Sequence, residues 1–511
     1  MPQTTIGARM GAGLAAAAVA LGVTQLAAAF FSPAADSRTA VGTSVINLTP
    51  GPVKEWAIQT FGTADKTFLT VMVLVVIGAL AAVSAIWERS RIPLGSIVLV
   101  GAGLLGCLAV LSRPGAGAAD LIPTLLGTAS AVAVLRLLTS ERIRERDPSE
   151  TPEPGRRRSL LALAFVGAGA LSGVVGTVVT RQRRSVATER ESFALPEVGS
   201  PAPPIPPGVQ PDVQPGDSAL PRFITANEDF YRIDTALTVP QLARTDWKLR
   251  IHGMVDQEIT YSFADLDQFE AVQAAVTLTC VSNPVGGNLI SNAMWTGYRV
   301  RDLLRRSGIS SDADMVLSTS VDGFTVGTPL EALTDDRDSL LAVGMNGVPL
   351  PVEHGYPARL VVPGLYGFVS ATKWVVDLEL TRFDRAEAFW TKRGWSARAP
   401  IKTQSRIDVP RDGGRVSAGA VTVGGVAWAQ HRGIGAVEVR VDDGPWQPAT
   451  LGAAYSKDTW RLWTFDWQAG PGRHTLTVRA TDDTGAVQTE QQSAPAPDGA
   501  SGWPSISVEV R

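Results

Sequence analysis

Val276-Thr277-Leu278-Thr279-Cys280-Val281-Ser282-Asn283-Pro284-Val285-Gly286-Gly287-Asn288 is an apolar, β-branched run that ends on a cysteine and passes into a loop of small and amide residues. The first part reads as a buried strand, and the Gly/Asn loop after it allows backbone to approach a bound group closely. A thiol at that junction is well placed to ligate a soft metal. For such a residue taken alone, a free cysteine that simply fills core is the plain alternative. The other cysteine of the 511-residue chain, Cys107, lies in a Gly/Leu/Val stretch remote in sequence, so no disulfide framework reports on the redox compartment.

Toward the N-terminus the composition changes. The first 180 residues are rich in Ala, Leu, Val and Gly, and of the 13 tryptophans only Trp56 and Trp87 precede residue 240. Apolar stretches at 10–31, 67–87, 93–112, 118–138 and 159–180 each reach the length of about 20 residues that crosses a bilayer. Five in succession read as a multi-pass α-helical transmembrane domain over residues 1–184. Arg89 and Arg91 flank one short loop; Arg142, Arg144, Arg146, Arg156, Arg157 and Arg158 fill another on the same side. The positive-inside rule makes that side cytoplasmic and puts everything after residue 180 outside, with Arg181, Arg183 and Arg184 standing against the rule. Arg157-Arg158-Ser159-Leu160-Leu161 resembles a twin-arginine export signal, and an ordinary positively charged anchor has the same look.

The histidines, His252, His354, His431 and His474, all lie outside these stretches, so the membrane part has no bis-histidine haem and no cysteine cluster for iron–sulfur. Asp120 and Arg136 sit near span ends, away from the mid-membrane positions that proton and ion relays use. This part therefore reads as an anchor in the lipid bilayer or a docking surface for another membrane protein. The formal net charge of −3 gives no basic footprint and speaks against a nucleic-acid partner.

Residues 185–221, with Pro201-Ala202-Pro203-Pro204-Ile205-Pro206-Pro207, read as a semi-rigid polyproline-like tether that holds the rest away from the bilayer. From 222 to 400 the pattern is mixed α and β. Trp247–Ile251 alternates like a strand, Thr260–Leu266 runs from strand to helix start with Ser262 as its cap, and Tyr298–Ser307 reads as a short amphipathic helix. Leu360–Pro363 and Trp374–Leu378 read as buried strands. From 401 to 511 short alternating runs meet tight turns, as where Ala436–Val441 reaches Asp442-Asp443-Gly444, which argues for an immunoglobulin-like β-sandwich.

Two further clusters accompany Cys280. One is Ile290-Ser291-Asn292-Ala293-Met294-Trp295-Thr296-Gly297; the other runs from Met345-Asn346-Gly347 through His354-Gly355-Tyr356-Pro357-Ala358-Arg359 to Lys373-Trp374. An imidazole, a guanidinium and an ammonium around Gly-rich turns suit a phosphate or other anion, Arg as a fork and Lys as a point charge. Together these runs resemble the sulfite oxidase family of molybdopterin enzymes, over residues 222–511. The resemblance implies a mixed α+β molybdopterin domain followed by that family's dimerisation domain, and hence a homodimer. It implies that Cys280 ligates molybdenum alongside the pterin dithiolene, that His354 and Arg359 contact the cofactor phosphate, and that Lys373 contacts the pterin end. It also implies cofactor contacts from Asn283 and from Ser370, by hydroxyl or backbone. Trp295 stands as a wall of the catalytic cavity. The family's arginine after an aromatic pair has Arg232 as nearest counterpart, in Phe230-Tyr231-Arg232-Ile233-Asp234.

Two departures bear on substrate. Where sulfite oxidases have a tyrosine before Met-Asn-Gly, Val343 stands, and where they have an arginine after the metal-binding cysteine, the loop holds Asn283, Pro284 and Val285. A doubly charged oxyanion needs fixed cations to offset desolvation, so a less charged sulfur or nitrogen oxide, or a sulfoxide, fits this pocket at least as well. The expectation is a membrane-anchored, extracytoplasmic molybdenum-cofactor oxidoreductase acting by two-electron oxygen-atom transfer on a small molecule. No haem or flavin module is written into the chain, so electrons leave to a partner, a soluble cytochrome or a membrane protein. The alternative is a non-enzymatic membrane scaffold with a degenerate molybdopterin-type domain.

Overall fold

A computed structural model describes residues 6–50, 53, 60, 65–88, 93–140, 154–211 and 220–511. Arg89, Arg91, Arg142, Arg144 and Arg146 lie outside the described residues, as do the side chains of Arg156 and Arg157. The chain divides into two compact units, Met1–Ser185 with Ala236–Val239, and Val186–Thr235 with Pro240–Arg511.

The first unit is helical: α1 (Ile6–Ala28), α2 (Ser37–Leu48), α3 (Asp65–Ile86), α4 (Leu94–Leu111), α5 (Ile122–Thr139) and α6 (Pro154–Arg184). Among the described residues, 5 helices are long and apolar enough to cross a membrane: Ile6–Ala28, Phe68–Ile86, Leu94–Leu111, Ala118–Thr139 and Arg158–Ser192. The Ala/Gly-rich α1 packs against α3, α5 and α6. Gly13 abuts the carbonyl of Ala81 and Gly22 that of Gly169, where a β-carbon has no room; small residues give helices this closeness in lipid. Ionisable groups gather at helix ends. At one end Glu88 accepts from Ser96 N and Oγ (2.8 and 2.7 Å), and Arg136 Nε reaches Ser96 Oγ (3.3 Å). At the other, Arg184 donates to the carbonyls of Ala28 and Phe31 (2.8 and 2.7 Å), and Ser32 Oγ donates to Asp120 (2.7 Å).

The second unit opens with the short helix α7 (Ala187–Ser192) and contains four sheets. In the first, β1 (Val198–Ser200), β4 (Ala271–Thr279), β5 (Ile290–Arg299), β8 (Leu340–Met345) and β10 (Arg359–Val361) lie side by side, with β9 (Val348–Pro349) folded back on β8. The second has the order β3 (Ile259–Ser262), β2 (Lys248–Gly253), β11 (Val375–Thr381), β6 (Met315–Ser320), β7 (Thr325–Pro329). Short helices α8 (Val300–Arg305) and α9 (Glu331–Thr334) interrupt the strands. Leu249 and Ile251 of β2 and Leu378 of β11 share one core with Ile290 and Tyr298 of β5 and Leu341 of β8, burying apolar faces from both sheets.

The third sheet joins β12 (Gln404–Val409), β14 (Gly419–Trp428), β18 (Arg461–Ala469) and β17 (Thr450–Leu451). The fourth joins β13 (Gly414–Val416), β20 (Ser505–Val510), β19 (Gly472–Asp482), β15 (Ile434–Val441) and β16 (Gln447–Pro448). Val423, Trp463 and Phe465 of one share a core with Val437, Val439, Leu476 and Val508 of the other. A polar seam ties these sheets to β4: Thr277 N donates to Asp458 O (3.0 Å), Trp460 N to Thr277 Oγ1 (2.8 Å), and Gln430 Nε2 to Thr277 O and Thr279 Oγ1 (3.1 and 2.9 Å).

Three expectations need correction. Residues 186–211 do not run as a free polyproline tether: β1 pairs with β4, Tyr455 Oη donates to Pro203 O (2.7 Å), Ala453 N donates to Gly208 O (2.9 Å), and Val209 is in the core. Backbone bonding and one buried apolar side chain outweigh the prolines' preference for solvated extension. Residues 212–219 of that segment lie outside the described residues. Ser262 is not an accepting helix cap; its N and Oγ both donate to Asp265 (2.7 Å each) ahead of a 3-10 turn at Ala264–Gln268. Val343 does not face a pocket either, being fully buried in the core shared by the first two sheets.

Candidate functional site

β4 delivers Cys280 to a loop that closes on itself. Cys280 N donates to Leu289 O (2.9 Å), Asn283 N to Cys280 O (3.1 Å), and Leu289 N to Asn283 Oδ1 (2.8 Å). Asn283 therefore shapes the loop. The thiol is 8 % exposed, and burial pushes its pKa up against hydrogen bonds from Ser282. In β5, Trp295 is fully buried and donates Nε1 to Val276 O (3.1 Å). Phe230 meets the rings of Trp295 and His354 edge-on at 5.6 and 5.5 Å.

The cations come from the other side. Arg359, at the start of β10, is buried with its guanidinium 5.1 Å from the centre of the Trp295 ring. Its nitrogens donate only to backbone, Nη1 to His354 O (3.1 Å) and Nε to Leu360 O (3.4 Å); among the described residues no carboxylate pairs with it. Burial lowers its pKa to about 10, against the opposing influence of Tyr231. Lys373 Nζ donates to Asp234 Oδ2 (3.0 Å) and Glu353 O (3.1 Å), and burial lowers it to about 8 despite Asp234. His354 Nε2 lies 3.2 Å from Asn227 O; burial first, then Arg359 and Lys373, lower it to about 3. The imidazole is thus neutral, with Nε2–H donating to that carbonyl and Nδ1 left as an acceptor.

Arg232, the expected arginine, is 41 % exposed and pairs with Asp234 (2.9 Å), the carboxylate it shares with Lys373; its charge also bears on His354 and Lys373. Ser370 is buried, but its hydroxyl is committed to the carbonyls of Leu365 and Tyr366 (3.2 and 2.9 Å) and its N–H to Gly367 O (3.3 Å), so it shapes the turn.

Four residues in the same constellation were given no role by the sequence reading. The phenol of Tyr231 is buried within electrostatic reach of Cys280 and Arg359, its pKa driven well above the usual range by burial and then by the cysteine. A β-carbon on Gly367 would stand 3.9 Å from that phenol oxygen and 3.8 Å from Thr279 O, so the glycine leaves a recess beside the thiol strand. Asn346 donates Nδ2 to Thr225 O and Asn227 Oδ1 (2.8 Å each) and accepts from Met294 N (2.9 Å), fixing the segment that carries Tyr231. Asp234 is the buried carboxylate between Arg232 and Lys373.

The donor set is one soft thiol, a neutral imidazole, the carboxylate-free guanidinium of Arg359, and two further cations, Lys373 and Arg232, that share the carboxylate of Asp234. Burying Arg359 without a counter-charge is costly, and an anion with several oxygens offsets that cost while the thiol takes a thiophilic metal. A phosphate-bearing group that carries such a metal fits these residues. In a separate hard-donor cluster of Asp335, Asp336 and His431, Asp335 is already paired with Arg337 (2.7 Å) and His431 with Asp458 (3.0 Å).

Residues 236–390 match the family model described as oxidoreductase molybdopterin binding domain. Human mitochondrial sulfite oxidase is 30% identical over 317 residues, which cover 52% of this chain and 58% of that protein, so the chain spans little more than half of that relative's length. The uncharacterized oxidoreductase YuiH of Bacillus subtilis is 33% identical over 154 residues, covering 30% of this chain and 74% of YuiH. Among solved structures, the sulfane dehydrogenase SoxCD of Paracoccus pantotrophus is similar in fold, with a TM-score of 0.51 at 24% identity over 57% of this chain and 82% of that one.

Proposed function

Because this chain belongs to the sulfite oxidase family of molybdopterin-dependent oxidoreductases, we propose that it is a membrane-anchored member with its catalytic body on the extracytoplasmic side. Its reaction is two-electron oxygen-atom transfer on a small sulfur or nitrogen oxide or a sulfoxide. The observation that carries this reading is a buried free thiol, Cys280, at the end of β4, together with a buried, carboxylate-free guanidinium, Arg359, held over the ring of Trp295 on the neighbouring strand β5; the buried phenol of Tyr231 feels both.

When bound, the molybdenum cofactor supplies the redox chemistry. Cys280 would hold the metal, while Arg359, His354 and Lys373 would hold the phosphate and the pterin. Tyr231 stays protonated at any physiological pH and offers an O–H donor beside the thiol. Phe230 and Trp295 wall the site against water. The loop after Cys280 places Asn283, Pro284 and Val285 where a further cation would favour a doubly charged substrate, which supports a less charged one.

The five apolar helices support anchoring, and the Arg-rich loop sequences support the assigned orientation and export through the twin-arginine motif. The shared core of the two C-terminal sheets supports an immunoglobulin-like sandwich, and pairing of two copies through it would give the homodimer. Electrons pass to a cytochrome or a membrane protein docked on the helices. The test is metal analysis of protein from a cofactor-competent host, followed by a redox-dye screen of sulfite, nitrate and sulfoxides. About one molybdenum per chain with dye-linked turnover supports the reading; metal-free, inert protein would favour the scaffold.

A further inference from the structure

The segment that leads into the catalytic sheets touches both halves of the site. In α7, Glu189 Oε1 accepts from Arg244 N (2.9 Å), Arg244 Nε (3.0 Å) and the phenol of Tyr356 (3.2 Å). The Arg244 guanidinium is itself held 4.2 Å from the centre of the Phe193 ring. Arg190 donates Nε to Leu350 O (2.6 Å) and Nη2 to Pro349 O (2.7 Å). These bonds grip the turn 349–359 at its start and at Tyr356, between His354 and Arg359. Leu195 then packs on Gly344 of β8, where a side chain has no room, and β1 pairs with β4, which leads directly to Cys280.

Resting on the functional reading above, we propose that Glu189 and Arg190 are positioning residues for the cofactor. The turn sets Arg359 beside His354 in a buried place, an arrangement biased to open when no anion is present. Charge-assisted hydrogen bonds from α7 oppose that opening and keep the cradle formed before the ligand arrives. The catalytic body therefore retains its cofactor only with α7 docked, and the stretch after the last apolar helix is part of the site rather than a spacer.

The test compares Glu189→Ala, Arg190→Ala, Glu189→Gln, Arg190→Lys and, as a control on the exposed side of the same helix, Glu191→Ala, all in the full detergent-solubilised chain. Two readouts are taken: molybdenum and pterin retained after gel filtration, and amide hydrogen exchange of the cofactor-free chain. Both alanine variants at 189 and 190 should lose cofactor about tenfold faster and exchange about tenfold faster across 351–361, the size expected for one lost charge-assisted bond. The sandwich strands β15 and β19 should exchange as in wild type, the Gln and Lys variants should recover most of the protection, and Glu191→Ala should behave as wild type. Unchanged exchange at 351–361 in both alanine variants, or acceleration spread equally over β15 and β19, would overturn the proposal. Should wild-type protein hold no molybdenum, the family-based function falls, while the exchange comparison still decides the positioning role.

Discussion

Replacing Arg359 by methionine separates what the guanidinium does for the fold from what it does for a bound anion. Its pKa, lowered by burial from 12.5 to about 10, corresponds to ~3 kcal/mol against the charged form in the cofactor-free chain. Methionine has similar bulk and carries no charge, but it forfeits the bonds to His354 O and Leu360 O and the contact over the Trp295 ring. Setting about 1 kcal/mol for each of the three contacts against that gain leaves the terms nearly balanced, the variant at most about 1 kcal/mol more stable without cofactor because the 3.4 Å bond is weak. For a body of this size that is a rise in Tm of about 2 °C or less. The loaded protein should move the opposite way, because a charge-assisted bond to phosphate contributes about 1.5–3 kcal/mol, or roughly 10–150-fold in retention. Tryptophan fluorescence melts of the cofactor-free proteins and pterin retention of the loaded ones give the two numbers. A methionine variant that melts below wild type and still holds pterin as tightly would refute the idea that Arg359 is kept buried for an anion.

Cys280→Ser should abolish turnover and remove sulfur from the metal's coordination shell as seen by X-ray absorption, yet keep most of the pterin, whose phosphate contacts lie on other elements. Tyr231→Phe should leave cofactor content within about twofold of wild type and lower kcat by about tenfold or more, as expected for losing one aligned donor; an unchanged kcat removes the phenol from the reaction. Asp482 is buried, and although burial favours its neutral form, bonds from Thr484, Arg432 and Thr403 hold its carboxyl well below the usual range. A carboxyl held low stabilises the fold above its unfolded pKa of about 3.9 and loses that contribution as pH falls through the folded value. Acid titration of unfolding should therefore show wild type weakening below about pH 4, while Asp482→Asn starts about 1–3 kcal/mol lower at pH 7 and falls less steeply through the same window, the remaining slope coming from other carboxyls held low such as Asp335 and Asp442.

Much of this arrangement was legible in the residues. The five helices follow from uninterrupted apolar length, and the strand end at Thr279 follows from a β-branched run meeting a Pro/Gly loop. His354, Arg359 and Lys373 converge because the turn at 352–356 and the 3-10 turn at 367–369 bring them together, and both turns are marked by glycine. What escaped was decided by partners distant in sequence. Phe230-Tyr231-Arg232 drew attention to its charged member, whereas the buried aromatic neighbour is the one that feels Cys280, on a segment held by Asn346 more than 100 residues away. The proline-rich segment read as a spacer because its composition lacks apolar periodicity; its attachment rests on backbone bonds and a few side chains such as Glu189, Arg190 and Val209.

The seam between β4 and the C-terminal sheets has a temporal side. Thr277 and Thr279 find their partners in Gln430, Asp458 and Trp460, which leave the ribosome well over 100 residues after the thiol strand. At ordinary synthesis rates that is a delay of about 10–30 s. Through that interval the strand that carries Cys280 stands without those partners, and only synthesis of the C-terminal sheets completes its polar surroundings.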